Sequence, residues 1–215
     1  MVKIKNDVFV YAEGGGSGAN SAALQAEFRQ ALAAFFSKTR LGMTRRPRVV
    51  ICGGRNQALD MFSTAIQQGK NALMLVDSED AVSSAHTPLP EKNGQPWAHL
   101  QARDGWQKPA TATDDDCHLM TQCMESWFLA DWQTVQNFFG QGINKSTLPT
   151  GPVEAIAKPD VYAALQRATL ACKTKVAYGK GAHSFKLLSL IDPARVMAAS
   201  PWANRLIDEL AKRSP

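Results

Sequence analysis

VFVYAEGGG, residues 8–16, is a five-residue apolar run that ends in an acid, Glu13, and three glycines; NALMLVDSED, residues 71–80, repeats the pattern, with Asp77, Glu79 and Asp80 after its apolar run. Apolar runs this short, closed by turn residues, have the length of buried strands. Between them VVIC, residues 49–52, is a third run, closed by Gly53 and Gly54. Asn20 to Lys38 spaces Leu24, Phe28, Ala31, Leu32, Phe35 and Phe36 three and four residues apart, the pattern of one buried helical face, and Arg55 to Gln68 repeats it more weakly through Leu59, Phe62 and Ile66. Strand, helix, strand, helix, strand predicts two right-handed crossovers in a parallel sheet. In such a sheet ligands bind outside the carboxyl ends of the strands, where Glu13, Asp77, Glu79 and Asp80 fall. Carboxylates gathered in one crevice repel one another unless a proton or cation intervenes, and magnesium is the usual oxygen-seeking cation.

Farther along, the periodicity is lost from Ala81 to Asp116, where Pro88, Pro90, Pro96 and Pro109 read as helix breakers; Trp97 and Trp106 predict that this excursion packs against something. Asp114 to Asp116 precede a predicted helix over His118–Phe139, with Leu119, Met120, Cys123, Trp127, Phe128 and Phe138 on its core face. Its polar face would carry His118, Gln122, Glu125 and Leu129. Glu125 is then either a solvent-facing residue or a further ligand of the acidic site, with His118 as an outer contact. Further helices are predicted from Asp160 to Lys173 and from Pro201 to Lys212, with Pro193 interrupting the apolar segment Leu187–Ile191. The expected organisation is an α/β core over residues 1–116, with the excursion at 81–116, and a mostly helical, basic extension over 117–215 packed on it.

With 215 residues, 45% hydrophobic and 20% charged, the chain can bury a full core and shows neither disorder nor a fibrous repeat. The five apolar residues Val8–Ala12 are too few for a signal-peptide core or a membrane span, so a cytoplasmic location is expected. Residues 1–150 hold 14 Lys and Arg against 14 Asp and Glu, whereas 151–215 hold 10 against 5. The basic excess therefore lies in the extension, which suits contact with a polyanion. The four cysteines form no CxxC pair and read as small buried hydrophobes.

Gly14-x-Gly16-x-x-Ala19 formally matches a dinucleotide fingerprint, but the second run ends in Cys52-Gly53-Gly54-Arg55 rather than the acid that would hold a ribose. Glu13 would also place negative charge beside the pyrophosphate. No GxxxxGK[ST] loop occurs, which argues against ATP hydrolysis by this chain. Lys173, Lys175, Tyr178, Lys180, His183 and Lys186 make the densest basic patch. It reads either as an exposed loop or as a grip on a phosphodiester backbone, with His183 or Lys180 neutralising charge beside the scissile phosphate.

A first strand that ends in Glu-Gly, two crossovers and a third strand that ends in Asp-x-Glu together resemble the toprim domain of topoisomerases, primases and overcoming-lysogenization-defect nucleases, over residues 7 to 82. The resemblance implies a toprim-like, Rossmann-like fold. It also implies acid/base or metal-binding work for Glu13 and magnesium (or manganese) binding by Asp77 and Glu79. Asp-Ser-Glu-Asp stands where the family has Asp-x-Asp, so Glu79, Asp80 and Glu125 are alternatives for completing the metal site. LVDSED, CMESWFLAD around Glu125 and KGAHSF around His183 resemble a group of bacterial toprim-like proteins, domain-of-unknown-function group 4276, related to RloB-type defence proteins. That likeness implies an effector nuclease acting on DNA or RNA, paired with an ATPase of the ABC or SMC type. A different class of function is also open: a regulatory or assembly subunit that binds metal, nucleotide or an ATPase without catalysis.

Overall fold

A computed structural model describes residues 7–16, 21–41, 46–89 and 92–214. Four short strands, β1 (Phe9–Ala12), β2 (Arg48–Ile51), β3 (Ala72–Asp77) and β4 (Cys117–Met120), form one sheet in the order β2-β1-β3-β4. Every pairing is parallel, with Ala12 opposite Ile51 and Leu75 and with Asp77 opposite Met120. Helices α1 (Ser21–Ser37) and α2 (Arg55–Gln67) carry the first two crossovers. The fold is thus α/β with a parallel, Rossmann-like sheet, as the spacing of apolar runs predicts.

The pleat sends successive side chains to opposite faces, and both faces are covered. Val10, Ala12, Leu73, Leu75 and Met120 pack with Phe28, Leu32, Phe35 and Phe36 of α1 and with the C-terminal helices. Tyr11, Met74, Val76 and Leu119 pack on the other side with Phe62 of α2, Trp97, Leu100 and Trp202. Strand β3 is buried along its whole length, which explains its unbroken apolar run.

Three expectations are corrected. His118–Phe139 is not one helix: CHLM pairs beside β3 as the fourth strand, and only after a loop does the chain form α4 (Ser126–Ala130) and α5 (Trp132–Phe139). All four residues of β4 are buried, between β3 on one side and the helices Pro96–Asp104 and Pro201–Arg213 packed on it, and a run this short does not distinguish strand from helix by periodicity. Asp131 parts the two helices, its carboxylate accepting from the Thr134 amide to cap α5. The extension over 117–215 therefore contributes a strand to the sheet as well as helices. Second, Pro96 starts a helix, α3 (Pro96–Asp104), inside the excursion. Third, Pro193 likewise opens α8 (Pro193–Ala199) rather than only interrupting the segment. Proline is tolerated in a first helical turn, where its missing N–H has no partner to lose. The remaining α-helices among the described residues are α6 (Lys158–Thr169), α7 (Ser184–Leu190) and α9 (Pro201–Arg213). Among the described residues, no helix is long and apolar enough to cross a membrane.

Candidate functional site

The strand order makes β1 and β3 neighbours, so their carboxyl ends meet. The Glu13 amide donates to the Leu75 carbonyl at 3.0 Å and the Gly14 amide to the Gly53 carbonyl at 2.8 Å, which ties together the ends of β3, β1 and β2. Gly14 has φ 140°, and a Cβ there would lie 2.5 Å from the Phe28 ring; the chain can leave β1 by this path only because no side chain is present. The Glu13 side chain turns toward β3, where its Oε2 accepts from the Asp77 amide at 3.3 Å.

Two cations hold the acids. Arg55, at the start of α2, donates to Glu13 Oε2 at 3.1 Å, to the Asp77 carbonyl and to Asp104 Oδ2 at 2.6 Å, with its guanidinium over the Trp106 ring. Lys158, at the start of α6, reaches Asp77 Oδ2 at 3.0 Å and Glu79 Oε1 at 2.5 Å. The other Asp77 oxygen accepts from the Met124 amide at 3.0 Å. Glu79 turns toward Lys158 with φ 66°, a left-handed conformation that a non-glycine residue adopts at some energetic cost.

These cations do not balance the negative charge. Burial, then repulsion from Asp77, pushes the Glu13 carboxyl up from its ordinary 4.5 to about 7, although Arg55 pulls it the other way. Burial likewise pushes Asp77 up to about 6, against the pull of Lys158, with Glu125 and Glu79 adding to the rise. Against the effect of burial, Asp77 and Glu79 raise Lys158, which stays charged. Perturbed carboxyls at a cleft are characteristic of functional sites.

Glu13, Asp77 and Glu125 line one cavity of about 240 Å3, together with Gly14–Gly16, Lys158, Lys180, Gly181, Ser184 and an apolar wall of Leu24, Phe28, Met120, Met124 and Phe185. Glu125 is 1% exposed and does not face solvent. Its Oε2 accepts from Tyr162 at 3.1 Å, and its Oε1 from Tyr178 at 3.4 Å and Ser184 at 3.3 Å. Lys180 Nζ lies 2.9 Å from the Tyr162 hydroxyl and over its ring. Glu79 meets the site through Lys158 rather than through the cavity wall.

Three residues singled out from sequence lie elsewhere. Asp80 is exposed and pairs with Arg103 at 2.8 Å. His183 is buried beside Phe139 and Phe138, and its Nδ1 accepts from the Gly179 amide at 3.1 Å. Burial, with Lys186 and Lys175 nearby, lowers its pKa and favours the neutral ring. His118, on β4 rather than a helix beside Glu125, is wholly buried next to the Asp115 carbonyl and the Arg205 guanidinium. The cysteines are free, with Cys52, Cys117 and Cys123 buried.

Sequence reasoning missed Lys158, Arg55, Tyr162 and Ser184. Arg55 carried a signal, since it follows the carboxyl end of β2 as Glu13 follows that of β1. Lys158 carried none: it stands among prolines far along the chain and reaches the site only by folding.

Among the described residues, no group of three or more His, Cys, Asp and Glu side chains is arranged to hold a metal ion. The chemistry of the donors nevertheless fits a hard cation. They are carboxylate oxygens, two of which burial drives toward protonation, and a divalent ion would relieve that repulsion. Comparison with curated proteins and with solved structures found no match. A family profile covers residues 16–211, a span that includes Asp77, Glu125, Lys158 and Lys180 and begins just after Glu13. The chain belongs to that family, described as Domain of unknown function (DUF4276).

Proposed function

We propose that this protein is a magnesium- or manganese-dependent phosphodiesterase acting on nucleic acid. The observation that supports it is the convergence of Glu13 and Asp77 from adjacent parallel strands onto one cavity whose negative charge Arg55 and Lys158 leave partly uncompensated. Glu13 and Asp77 would hold the metal from the cavity wall, with Glu79 joining them from its place beside Lys158. When bound, the metal would polarise a phosphate and supply hydroxide at neutral pH. Lys158 would keep Asp77 and Glu79 aligned, and Arg55 would do the same for Glu13. Lys180, at the cavity rim, would meet the phosphate charge, and the Gly14–Gly16 backbone would allow close approach of the substrate. Likeness of β1 and β3 to toprim strands belongs to this proposal, as does pairing with an ATPase as the effector of a defence system.

The test is cleavage of single- and double-stranded DNA and RNA with magnesium or manganese, with and without a neighbouring ATPase. Glu13→Gln and Asp77→Asn should each abolish cleavage, and turnover equal to wild type by both would refute the assignment. The ion pairs of Lys158 and Arg55 favour a second reading, in which the acids are structural and the chain is a regulatory or assembly subunit. Magnesium binding without turnover on any nucleic acid, with an ATPase bound, would select that reading.

A further inference from the structure

The cavity has two unlike halves, and phosphodiester chemistry uses only one. Its floor is acidic, whereas Leu24, Met124 and Phe185 present an apolar wall that a hydrated phosphate and metal would not need. Phe185, half-buried on α7, stacks on Phe28 with ring centroids 4.8 Å apart and 16° between the planes. Phe28 in turn is buried and rests on Gly14, the residue that follows Glu13. The aromatic wall is thus braced by the same turn that carries the acid. Lys180 is fixed at the rim by Tyr162, through a 2.9 Å hydrogen bond and with the ammonium 5.1 Å from the ring centroid. At Gly181, with φ +85°, no atom lies within 4 Å of the place a Cβ would take, so the backbone there is open to approach.

A braced aromatic wall, an ammonium at the rim and carboxylates on the floor match the parts of one nucleotide: a flat apolar base, a phosphate and the bond to be cut. A volume of about 240 Å3 is below the roughly 300–1,000 Å3 of pockets that take drug-sized ligands, so it suits one ring system and not a base pair. In an intact duplex every base is stacked and paired, and a base must leave the stack before it can enter such a pocket.

We propose that the cavity takes one unstacked nucleotide, its base against Phe185 and its phosphate toward Lys180, which makes single strands and frayed ends, rather than closed duplex, the substrate class. Cleavage of that strand rests on the phosphodiesterase reading; binding of the base does not. The test mixes wild-type protein and the Phe185→Ala and Phe185→Trp variants with single-stranded DNA and RNA oligonucleotides carrying 2-aminopurine, whose emission changes when the base leaves the strand's stack. Cleavage of the same strands and of closed circular duplex is followed with magnesium. Wild type and Phe185→Trp should change the probe's emission on binding. Phe185→Ala should bind about 5- to 150-fold more weakly, the range that base–aromatic stacking energies give. Closed duplex bound or cut as well as single strands overturns the inference, as does unchanged affinity in a folded Phe185→Ala protein; both leave the nuclease reading in place. The duplex comparison uses wild type, so a variant that fails to fold does not remove the test. An emission change with no cleavage of any substrate, with or without a neighbouring ATPase, keeps the base pocket and refutes the nuclease. A free 2-aminopurine mononucleotide separates the two sources of the same chemistry: an emission change with the oligonucleotide supports the strand, and one with the mononucleotide alone overturns it.

Discussion

Replacing Glu13 with glutamine should stabilise the protein in metal-free buffer at pH 8 while abolishing cleavage. Glu13 titrates at about 7 in the fold, against an ordinary 4.5. Between those values the native state holds a proton that the unfolded chain has already released, so stability falls as pH rises through that window. At about 1.4 kcal/mol per pH unit, the penalty is at most roughly 3 kcal/mol at pH 8 and mostly absent at pH 5. Glutamine removes the titration but weakens the 3.1 Å bond from Arg55, which gives back part of the gain. The advantage of Glu13→Gln over wild type should therefore grow by about 1–3 kcal/mol from pH 5 to pH 8. In a chain of this size that corresponds to roughly 2 to 12 °C in Tm. Thermal unfolding of both proteins at pH 5, 6.5 and 8 reads it directly, and saturating magnesium at pH 8 should narrow the gap by stabilising wild type more. A Tm difference that stays constant with pH would refute both the buried-carboxylate reasoning and the charge imbalance on which the metal proposal rests.

Lys158→Met leaves Asp77 and Glu79 without their ammonium, and urea denaturation at pH 8 should show a loss of about 2–4 kcal/mol, partly restored by magnesium; no loss would mean that solvent already screens the pair. Tyr162→Phe removes the hydroxyl shared by Glu125 and Lys180, which should lower stability by about 1–2 kcal/mol and, in the cleavage assay, raise KM severalfold while leaving kcat within about twofold. A fall in kcat alone would move Tyr162 into the chemical step. Burial and the neighbouring Arg205 push His118 well below its ordinary 6.5, so the unfolded chain takes up a proton that the native ring refuses, and stability contributed by the neutral ring is lost as pH falls below about 6.5. Measured against His118→Gln, which separates this effect from the acids, wild type should lose relative stability between pH 7 and pH 5; parallel curves would contradict the burial of the ring.

The core order β1-α1-β2-α2-β3 was legible because its signals are local. Short apolar runs closed by glycines or acids read as strands, and Leu24 through Phe36 read as a helix, since each depends on neighbours within a few residues. Glu13 and Asp77 could be placed at strand ends for the same reason. Strand β4 was not legible: CHLM is four residues long and runs into apolar positions that continue at helical spacing, and only the free edge of β3 makes it a strand. Position after a strand also suggested Asp80, and a basic patch suggested His183, but an exposed ion pair and packing place them away from the cavity.

What the amino-acid order determined by itself was the parallel α/β core and two acids at one edge of it. The tertiary structure decided which groups face those acids. Lys158 meets Asp77 across 81 residues of chain, and Tyr162, Tyr178 and Ser184 surround Glu125 from two different segments. Charge compensation and burial depend on distance in space, so the raised titration of Glu13 and Asp77, and the aromatic wall beside them, exist only once α1, α6 and α7 have packed against the sheet.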